Sequence, residues 1–222
     1  MVNQVPEPDA APGLGAGALR FVRRLAKRRG RDLSGKFLVE GRQAVEAALR
    51  SPGIVEQVIV DDPQRHHDLL TDHEVAVRQV GSSVMKELSD TVSPQGILAV
   101  CQQMHPNFDD IALPQLIVIC SQVRDPGNAG ALIRCADAFA ADAVILTTGS
   151  VELHNPKTVR STAGSLFNLP VITAVTLQES VAFARSEGMQ ILAAGAEGEE
   201  IDLLAAGGGL SRPTAWIMGN EA

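Results

Sequence analysis

The residues best suited to chemistry in this chain lie close together in residues 125–134. Asn128 contributes a polar amide and Arg134 a fixed positive charge, and Gly127 and Gly130 lie near them. A guanidinium stays protonated and presents planar donors that match phosphate and sugar oxygens. The segment therefore predicts a binding site for an anionic or sugar-bearing ligand.

The segments on either side predict where this charge lies. The apolar run 116–120 predicts a buried strand, and the pattern of residues 131–139 predicts a helix. The glycine-bearing turn between them then lies at the carboxyl edge of a sheet, where α/β proteins bind ligands. We expect Asn128 at the start of the helix and Arg134 one to two turns into it.

The turn at residues 125–130 does not match the common glycine-bearing nucleotide motifs. A dinucleotide-binding turn would need G-x-G-x-x-G, and the strand that follows ends in Thr147 and Thr148 without an acidic residue. A phosphate-binding loop would need a G-K-[ST] sequence, which does not follow. A purely structural turn accounts for the glycines and makes Asn128 the N-cap of the helix, but it does not account for Arg134 in an apolar helix.

Two further pieces carry polar groups at predicted element ends. Lys157, Arg160, Ser161 and Gly164 form one face near a helix start, where backbone N–H groups attract anions, although ordinary surface charges would also account for this face. Residues 219–221 predict a turn with a carboxylate at a strand end.

Strands alternating with helices predict a two-domain α/β protein. The second domain has a mostly parallel, doubly wound pattern, with predicted helices that include 128–140 and 156–166. Residues 19–29 predict a single basic helix. The predicted organisation is a disordered lead, a first α/β domain with a basic arm, a linker and a second α/β domain, over residues 1–18, 19–103, 104–114 and 115–222.

Charge is unevenly spread along the chain. The net charge is -7, but residues 1–36 carry eight basic and three acidic residues, so this part is +5 and the rest is -12. A basic arm on an acidic body indicates a polyanionic partner, and a solvated helix face or tail is the alternative. Because aromatic residues make up only 3% of the chain, base stacking is not expected to dominate nucleic-acid binding.

Cysteine usage and hydropathy indicate the compartment. Cys101, Cys120 and Cys135 are far apart and lack zinc-binding spacing, so we expect buried reduced thiols, with no metal site and no disulfide framework. Residues 1–18 lack the apolar core of a signal peptide, and no run is long enough to span a bilayer. We therefore expect a protein of the reducing cytoplasm with no membrane partner.

Taken together, the three polar pieces resemble the SpoU (TrmH-like) branch of the SPOUT RNA methyltransferases. The first motif of that branch, N-x-G-x-x-x-R, is matched by Asn128, Gly130 and Arg134, and an Ala-x-x-Phe helix follows at Ala136 and Phe139. The family stretch pK-vR-S-Ga-f-lP is matched from Pro156 to Pro170. The opening G-N-E of the second motif is matched by residues 219–221.

The resemblance extends upstream and covers roughly residues 20–222. Residues 37–45 and 93–97 resemble the substrate-binding domain that precedes the catalytic domain in many members, a fold similar to ribosomal protein L30e. The implied fold is thus a small L30e-like domain followed by a SPOUT-type domain, the α/β knot.

The resemblance implies transfer of a methyl group from S-adenosylmethionine to a ribose 2′-hydroxyl of RNA, with 23S rRNA preferred. The implied catalytic residues are Asn128, Arg134 and Glu221. The implied cofactor-binding residues are Ala194, Gly195, Ala196, Gly219 and Asn220. The implied RNA-binding residues are Arg23, Arg24, Lys27, Arg28, Arg42, Lys157 and Arg160. The resemblance also implies a homodimer.

The family has a third motif, a Ser-Leu-Asn-containing helix start, and the printed sequence ends before it. We therefore expect this chain to lack the knot segment and to be inactive as given. Three alternatives to an rRNA methyltransferase stay open: a tRNA 2′-O-methyltransferase, an RNA-binding protein without catalysis, and a nucleotide-dependent oxidoreductase, which the missing glycine fingerprint disfavours.

Overall fold

The computed structural model describes residues 12–195, 198 and 200–219. It forms two compact units. The first contains the described residues up to Met104 together with His154–Gly164, and the second contains His105–Leu153 and the described residues from Ser165 onward.

Within the described residues, the two units contain eighteen α-helices and strands. The helices α1 to α9 are Ala16–Leu25, Arg28–Ser34, Arg42–Leu49, His67–Thr71, Ser82–Leu88, Pro126–Ala138, Pro156–Ser161, Leu177–Ser186 and Ile201–Ala206. The strands β1 to β9 are Lys36–Glu40, Val55–Val60, Ala76–Gln79, Ile97–Gln102, Leu116–Cys120, Ala143–Thr147, Val171–Val175, Gln190–Ala193 and Thr214–Met218. None of the described helices is long and apolar enough to cross a membrane.

The first unit is built on a four-stranded mixed sheet with the order β1-β4-β2-β3. Strand β4 runs antiparallel to both β1 and β2, and β2 pairs in parallel with β3. Val22 and Leu25 of α1 are fully buried and share a core cluster with Met85 and Leu88 of α5. Because these residues recur at helical spacing, α1 lies with one apolar face on the domain and its other face in solvent.

The basic segment forms two helices, so the expected single helix over residues 19–29 is wrong. The backbone of Lys27 is extended and begins α2. Gly30 then lies so close to α1 that a Cβ atom there would be 2.0 Å from the carbonyl oxygen of Arg24. The buried Arg31 side chain donates a hydrogen bond of 2.8 Å to the Leu25 carbonyl. The α1–α2 corner is therefore tight and fixed by its own side chains.

The second unit contains a five-stranded sheet with the order β7-β6-β5-β9-β8. Every strand pair in it is parallel, which confirms the predicted doubly wound α/β fold. Ile117, Ile119 and Ile145 are fully buried, as expected for central parallel strands covered on both faces. From β5 the sheet grows through β6 and β7 on one side, and the later strands β8 and β9 lie on the other side, with β9 next to β5. The strand order therefore reverses between β5 and β9, which makes this the topological switch point.

Three helices differ from the sequence-based expectation. Helix α6 begins at Pro126 instead of 128 because Asp125 caps it. Helix α7 ends at Ser161 instead of 166 because Ala163 and Gly164 both have positive φ angles, of 50° and 100°. Helix α9 has no counterpart among the predicted helices.

Candidate nucleotide-binding edge of the parallel sheet

Three neighbouring strands of the second sheet, β5, β9 and β8, end at the same edge. Ser121, just after β5, donates its backbone N–H to the Met218 carbonyl at the end of β9, at 2.8 Å. Ala194, just after β8, donates to the Ile217 carbonyl at 3.0 Å. The chain therefore leaves β5, β8 and β9 side by side, at the switch point where doubly wound sheets bind ligands.

This edge includes part of the predicted cofactor-binding set. Ala194, Gly195 and Gly219 are exposed and follow the neighbouring strands β8 and β9. A Cβ atom built on Gly195 or Gly219 would meet nothing within 4 Å, so the rim here is open and uncharged. Such a rim fits a nucleoside that approaches the backbone closely. Ala196, Asn220 and Glu221, also predicted for the site, lie outside the described residues.

The loop after β5 enters α6 through an aspartate cap. The Asp125 side chain accepts a hydrogen bond from the Asn128 backbone N–H at 2.8 Å, and Pro126 occupies the first helical position. The expectation that Asn128 caps this helix is therefore wrong. Its side chain is left exposed at the third helical position, so its amide is available to a ligand.

Arg134 lies on the exposed face of α6. Its guanidinium has no hydrogen bond or ion pair with any described residue. Helical side chains lean toward the N-terminus of their helix, so Arg134 extends over the turn that contains Gly130 and Ala131. That N-terminus follows β5 after the loop 121–125, so the lean is toward the end of α6 that is nearer the sheet edge.

The loop before α6 is held by a buried hydroxyl that the sequence analysis did not single out. The Thr147 hydroxyl, 3% exposed at the end of β6, accepts from the Gln122 backbone N–H at 3.1 Å and donates to the Cys120 carbonyl at 3.2 Å. Gln122 has a φ of 54°, a conformation that non-glycine residues adopt rarely. A buried threonine in an apolar strand has no sequence signature that would mark this role.

The predicted RNA-binding cations divide into two groups. Four of them pair with carboxylates inside the first unit: Arg23 with Glu87, Arg28 with Asp32, Arg42 with Asp68, and Arg160 with Glu40 and Asp90. The Arg42 guanidinium lowers the pKa of the Asp68 carboxyl by hydrogen bonding to it. The other three, Arg24, Lys27 and Lys157, are exposed and have no such partner among the described residues.

The three cysteines differ in environment. Cys101 and Cys120 are buried, and burial raises the pKa of the Cys120 thiol to about 12. Cys135 is exposed on α6, so the expectation that all three are buried is wrong at this position. Among the described residues, no group of three or more His, Cys, Asp or Glu side chains is placed to hold a metal ion.

Two sequence families match this chain. The SpoU rRNA methylase family matches residues 115–222, and the MRM3-like substrate-binding domain matches residues 18–99. The first of these ranges falls on the parallel sheet and the second on the mixed sheet.

Individual relatives agree with the family matches. The chain is 34% identical over 205 residues to the 23S rRNA (guanosine(2553)-2′-O)-methyltransferase of Bacillus subtilis, covering 90% of this chain and 77% of that protein. It is 33% identical to the mitochondrial rRNA methyltransferase 3A of Danio rerio, covering 73% of this chain but only 39% of that protein. The AdoMet-bound rRNA methyltransferase of Sinorhizobium meliloti superimposes with a TM-score of 0.77 at 25% identity, covering 95% of this chain and 80% of that one.

Proposed function

Because the chain belongs to the SpoU rRNA methylase family, we propose that it transfers a methyl group from S-adenosylmethionine to a ribose 2′-hydroxyl of 23S rRNA. The observation that carries this proposal is the convergence of the loops after β5, β8 and β9 on one sheet edge. The helix that follows the β5 loop carries Arg134, which has no partner among the described residues. The rRNA methyltransferases of Bacillus subtilis and Sinorhizobium meliloti support the choice of reaction and cofactor.

The residues at this edge fit a sulfonium nucleoside. The open rim at Gly195 and Gly219 admits an uncharged adenosine without displacing a side chain. When bound there, S-adenosylmethionine supplies an already activated methyl group. The protein is left with the tasks of positioning the 2′-oxygen and holding the charge of the neighbouring phosphate.

Arg134 suits the phosphate-holding task. Its guanidinium remains protonated at working pH, so it acts by electrostatic stabilisation and orientation and not as a base. Because no described carboxylate competes for it, no ion pair has to break when RNA binds. The exposed amide of Asn128 lies nearer the helix start and is assigned to the nucleotide being modified.

The hydroxyl proton has to leave as the new O–C bond forms and the methyl–sulfur bond breaks. Glu221 is our candidate contact for that proton, by resemblance to the family motif alone. Its assignment is tested by comparing Glu221→Gln with wild type across pH. A catalytic carboxylate predicts a lost acidic limb in the rate profile, and an unchanged profile would remove Glu221 from the mechanism.

The experiment that tests the function is methyl transfer to isolated rRNA by the purified protein. Radiolabelled cofactor should deposit one methyl group on one ribose, located by mass spectrometry of nuclease fragments. Arg134→Ala should lower the rate at least 100-fold with unchanged thermal unfolding, since an exposed, unpaired side chain contributes little to the fold. Arg185→Ala, on the exposed face of α8, is the matched control. Methylation of tRNA in place of rRNA would favour the tRNA alternative, and near-normal activity of Arg134→Ala would overturn the role of Arg134.

Two further assignments complete the proposal. We propose a homodimer, supported by Phe139 at the end of α6, whose large apolar side chain is 77% exposed. Sedimentation of wild type and Phe139→Ser tests it, and a monomeric wild type contradicts it. We also propose a cytoplasmic location, supported by the reduced, buried thiols of Cys101 and Cys120.

A further inference from the structure

The first unit carries a group of cations that its own carboxylates leave unpaired. Arg20 and Arg24 are exposed on α1, four residues apart, and Arg29 is exposed in the first turn of α2. Lys27 lies exposed between the two helices. These four residues, the corner cations, make no hydrogen bond or ion pair through their side chains with any described residue.

The fold brings the corner cations together. The backbone N–H of Lys27 donates to the Arg24 carbonyl at 3.0 Å, and that of Gly30 donates to Lys27 at 2.9 Å. Only a glycine fits at position 30, because any Cβ atom would overlap the Arg24 carbonyl. The first turn of α2 therefore lies against the last turn of α1, so the two segments that carry the four cations are packed together.

The neighbouring cations provide a contrast on the same surface. Arg23 pairs with Glu87 at 2.7 Å, and Arg28 pairs with Asp32 at 3.6 Å. A phosphate that approaches either of these arginines would also meet the paired carboxylate, so its electrostatic attraction would be weaker. The corner cations lack this competition, so a phosphate that approaches them meets positive charge without a paired carboxylate.

The chemistry of the first unit indicates how RNA would be contacted. Its described residues include two Phe, Tyr or Trp side chains, Phe21 and Phe37. Phe37 is fully buried, and Phe21 packs against the core beneath the Lys36 ammonium, which lies 5.7 Å from its ring centre. Proteins that hold single strands stack bases on exposed aromatic rings, and this unit offers none among its described residues. With no aromatic platform among the described residues of this unit, the charged side chains of the corner favour phosphates over stacked bases.

We propose that the corner cations bind the phosphate backbone of a base-paired segment of the RNA substrate. This inference rests on the proposed function for the identification of RNA as the polyanion. It adds that the corner cations are the residues in contact and that base-paired RNA is the form they bind. The contact is independent of sequence, because phosphates carry no base identity. It therefore contributes affinity and orientation, and recognition of the target base is left to other residues.

The test compares two triple variants that remove the same charge. The corner variant is Arg20→Gln, Arg24→Gln and Lys27→Gln. The control variant is Arg23→Gln, Arg28→Gln and Arg50→Gln, in which each arginine pairs with a carboxylate, namely Glu87, Asp32 and Glu46. Binding to a short RNA duplex of arbitrary sequence and to a poly(U) strand of equal length is measured against salt concentration.

The corner variant should lower the slope of log affinity against log salt by roughly 2, since each phosphate contact contributes about 0.7–0.9. The control variant should lower it by less than about 1. The decrease in slope of the corner variant should be larger for the duplex than for poly(U). An equal decrease in slope for the two variants, or a decrease seen only with poly(U), would overturn the proposal.

Failure of this inference and failure of the proposed function can be told apart. Methyl transfer by the wild-type protein tests the function and does not require the corner variant. If wild type methylates rRNA but the corner variant keeps its full salt slope, the corner assignment falls alone. If no RNA is methylated but the slope drops as expected, the corner assignment stands as RNA binding and the catalytic proposal falls. Thermal unfolding of both variants verifies that the folded state is retained.

Discussion

The hydroxyl of Thr147 and the backbone of Gln122 are joined by a hydrogen bond of 3.1 Å between the ends of β6 and β5. The same hydroxyl donates to the carbonyl of Cys120. It thus holds in place a residue with a left-handed backbone, three positions before the aspartate that caps the Arg134 helix. The loop that leads into α6, the helix that carries Arg134, is therefore held by one buried hydroxyl oxygen.

Replacing Thr147 with valine should lower the rate of methyl transfer about 10-fold or more while changing KM for the cofactor little. The change leaves the Gln122 N–H without its partner, at a cost of about 1–3 kcal/mol, and frees the loop before α6. The Cys120 carbonyl keeps a 3.4 Å hydrogen bond from the Ser150 hydroxyl. Thr147→Ser should restore the rate because it keeps the hydroxyl. If the serine variant is as slow as the valine variant, shape and not hydrogen bonding is what matters at this position.

Asp125 and Asn128 should separate stability from catalysis. Asp125→Ala removes the observed cap and should cost about 1 kcal/mol of unfolding free energy, measured by urea denaturation. Asn128→Ala leaves the cap intact, so it should lower methyl transfer with little loss of stability. A larger stability loss for Asn128→Ala than for Asp125→Ala would contradict the assigned cap.

Arg160 should act within the protein and not on RNA. Its guanidinium is 3.1 Å from the Asp90 carboxylate and 3.8 Å from that of Glu40, whose side chain is only 11% exposed. Arg160→Gln should cost about 0.5–1 kcal/mol of unfolding free energy and leave the salt dependence of RNA binding unchanged. Lys157→Gln, on the same helix but without a partner among the described residues, is the matched comparison. A reduced salt slope for Arg160→Gln alone would restore its predicted RNA contact.

Acidification should destabilise the first unit through His66. Burial lowers the pKa of this side chain, and the nearby Arg42 and Arg65 lower it further. A hydrogen bond with the Gln95 backbone and the charge of Asp61 oppose the shift without reversing it. Above about pH 6.5 the ring is neutral in both the folded and the unfolded protein, so it adds no pH dependence. Below that pH the unfolded chain takes up a proton that the folded protein resists, so stability falls until the folded-state pKa is reached.

The measurement is the unfolding free energy of wild type and of His66→Gln at several pH values above and below about 6.5. The variant should show a shallower decline in acid, whatever its stability at neutral pH. His67→Gln, an exposed neighbour, should decline as wild type does. Parallel curves for wild type and His66→Gln would show that this ring does not control the acid response.

Most strands of the second sheet could be predicted from the sequence because they are buried on both faces. Runs such as 116–120 and 143–147 are continuously apolar, and the segments between them carry helical spacing, so strand type and parallel topology could be predicted. Arg134 could be singled out from the sequence, since a guanidinium in an apolar helix has few structural uses, and the structure leaves it exposed. Its catalytic role stays a prediction.

The sequence by itself determined the residue types, the two α/β patterns and the motif order of the SpoU family. Tertiary structure decided which cations are free, because Arg160 meets Glu40 and Asp90 only after residues far apart in the chain have packed together. It also decided the α1–α2 corner, which depends on how closely Gly30 approaches Arg24. Charge pairing and close packing are set by distances in space, and hydrophobic periodicity reports only which face of an element is buried.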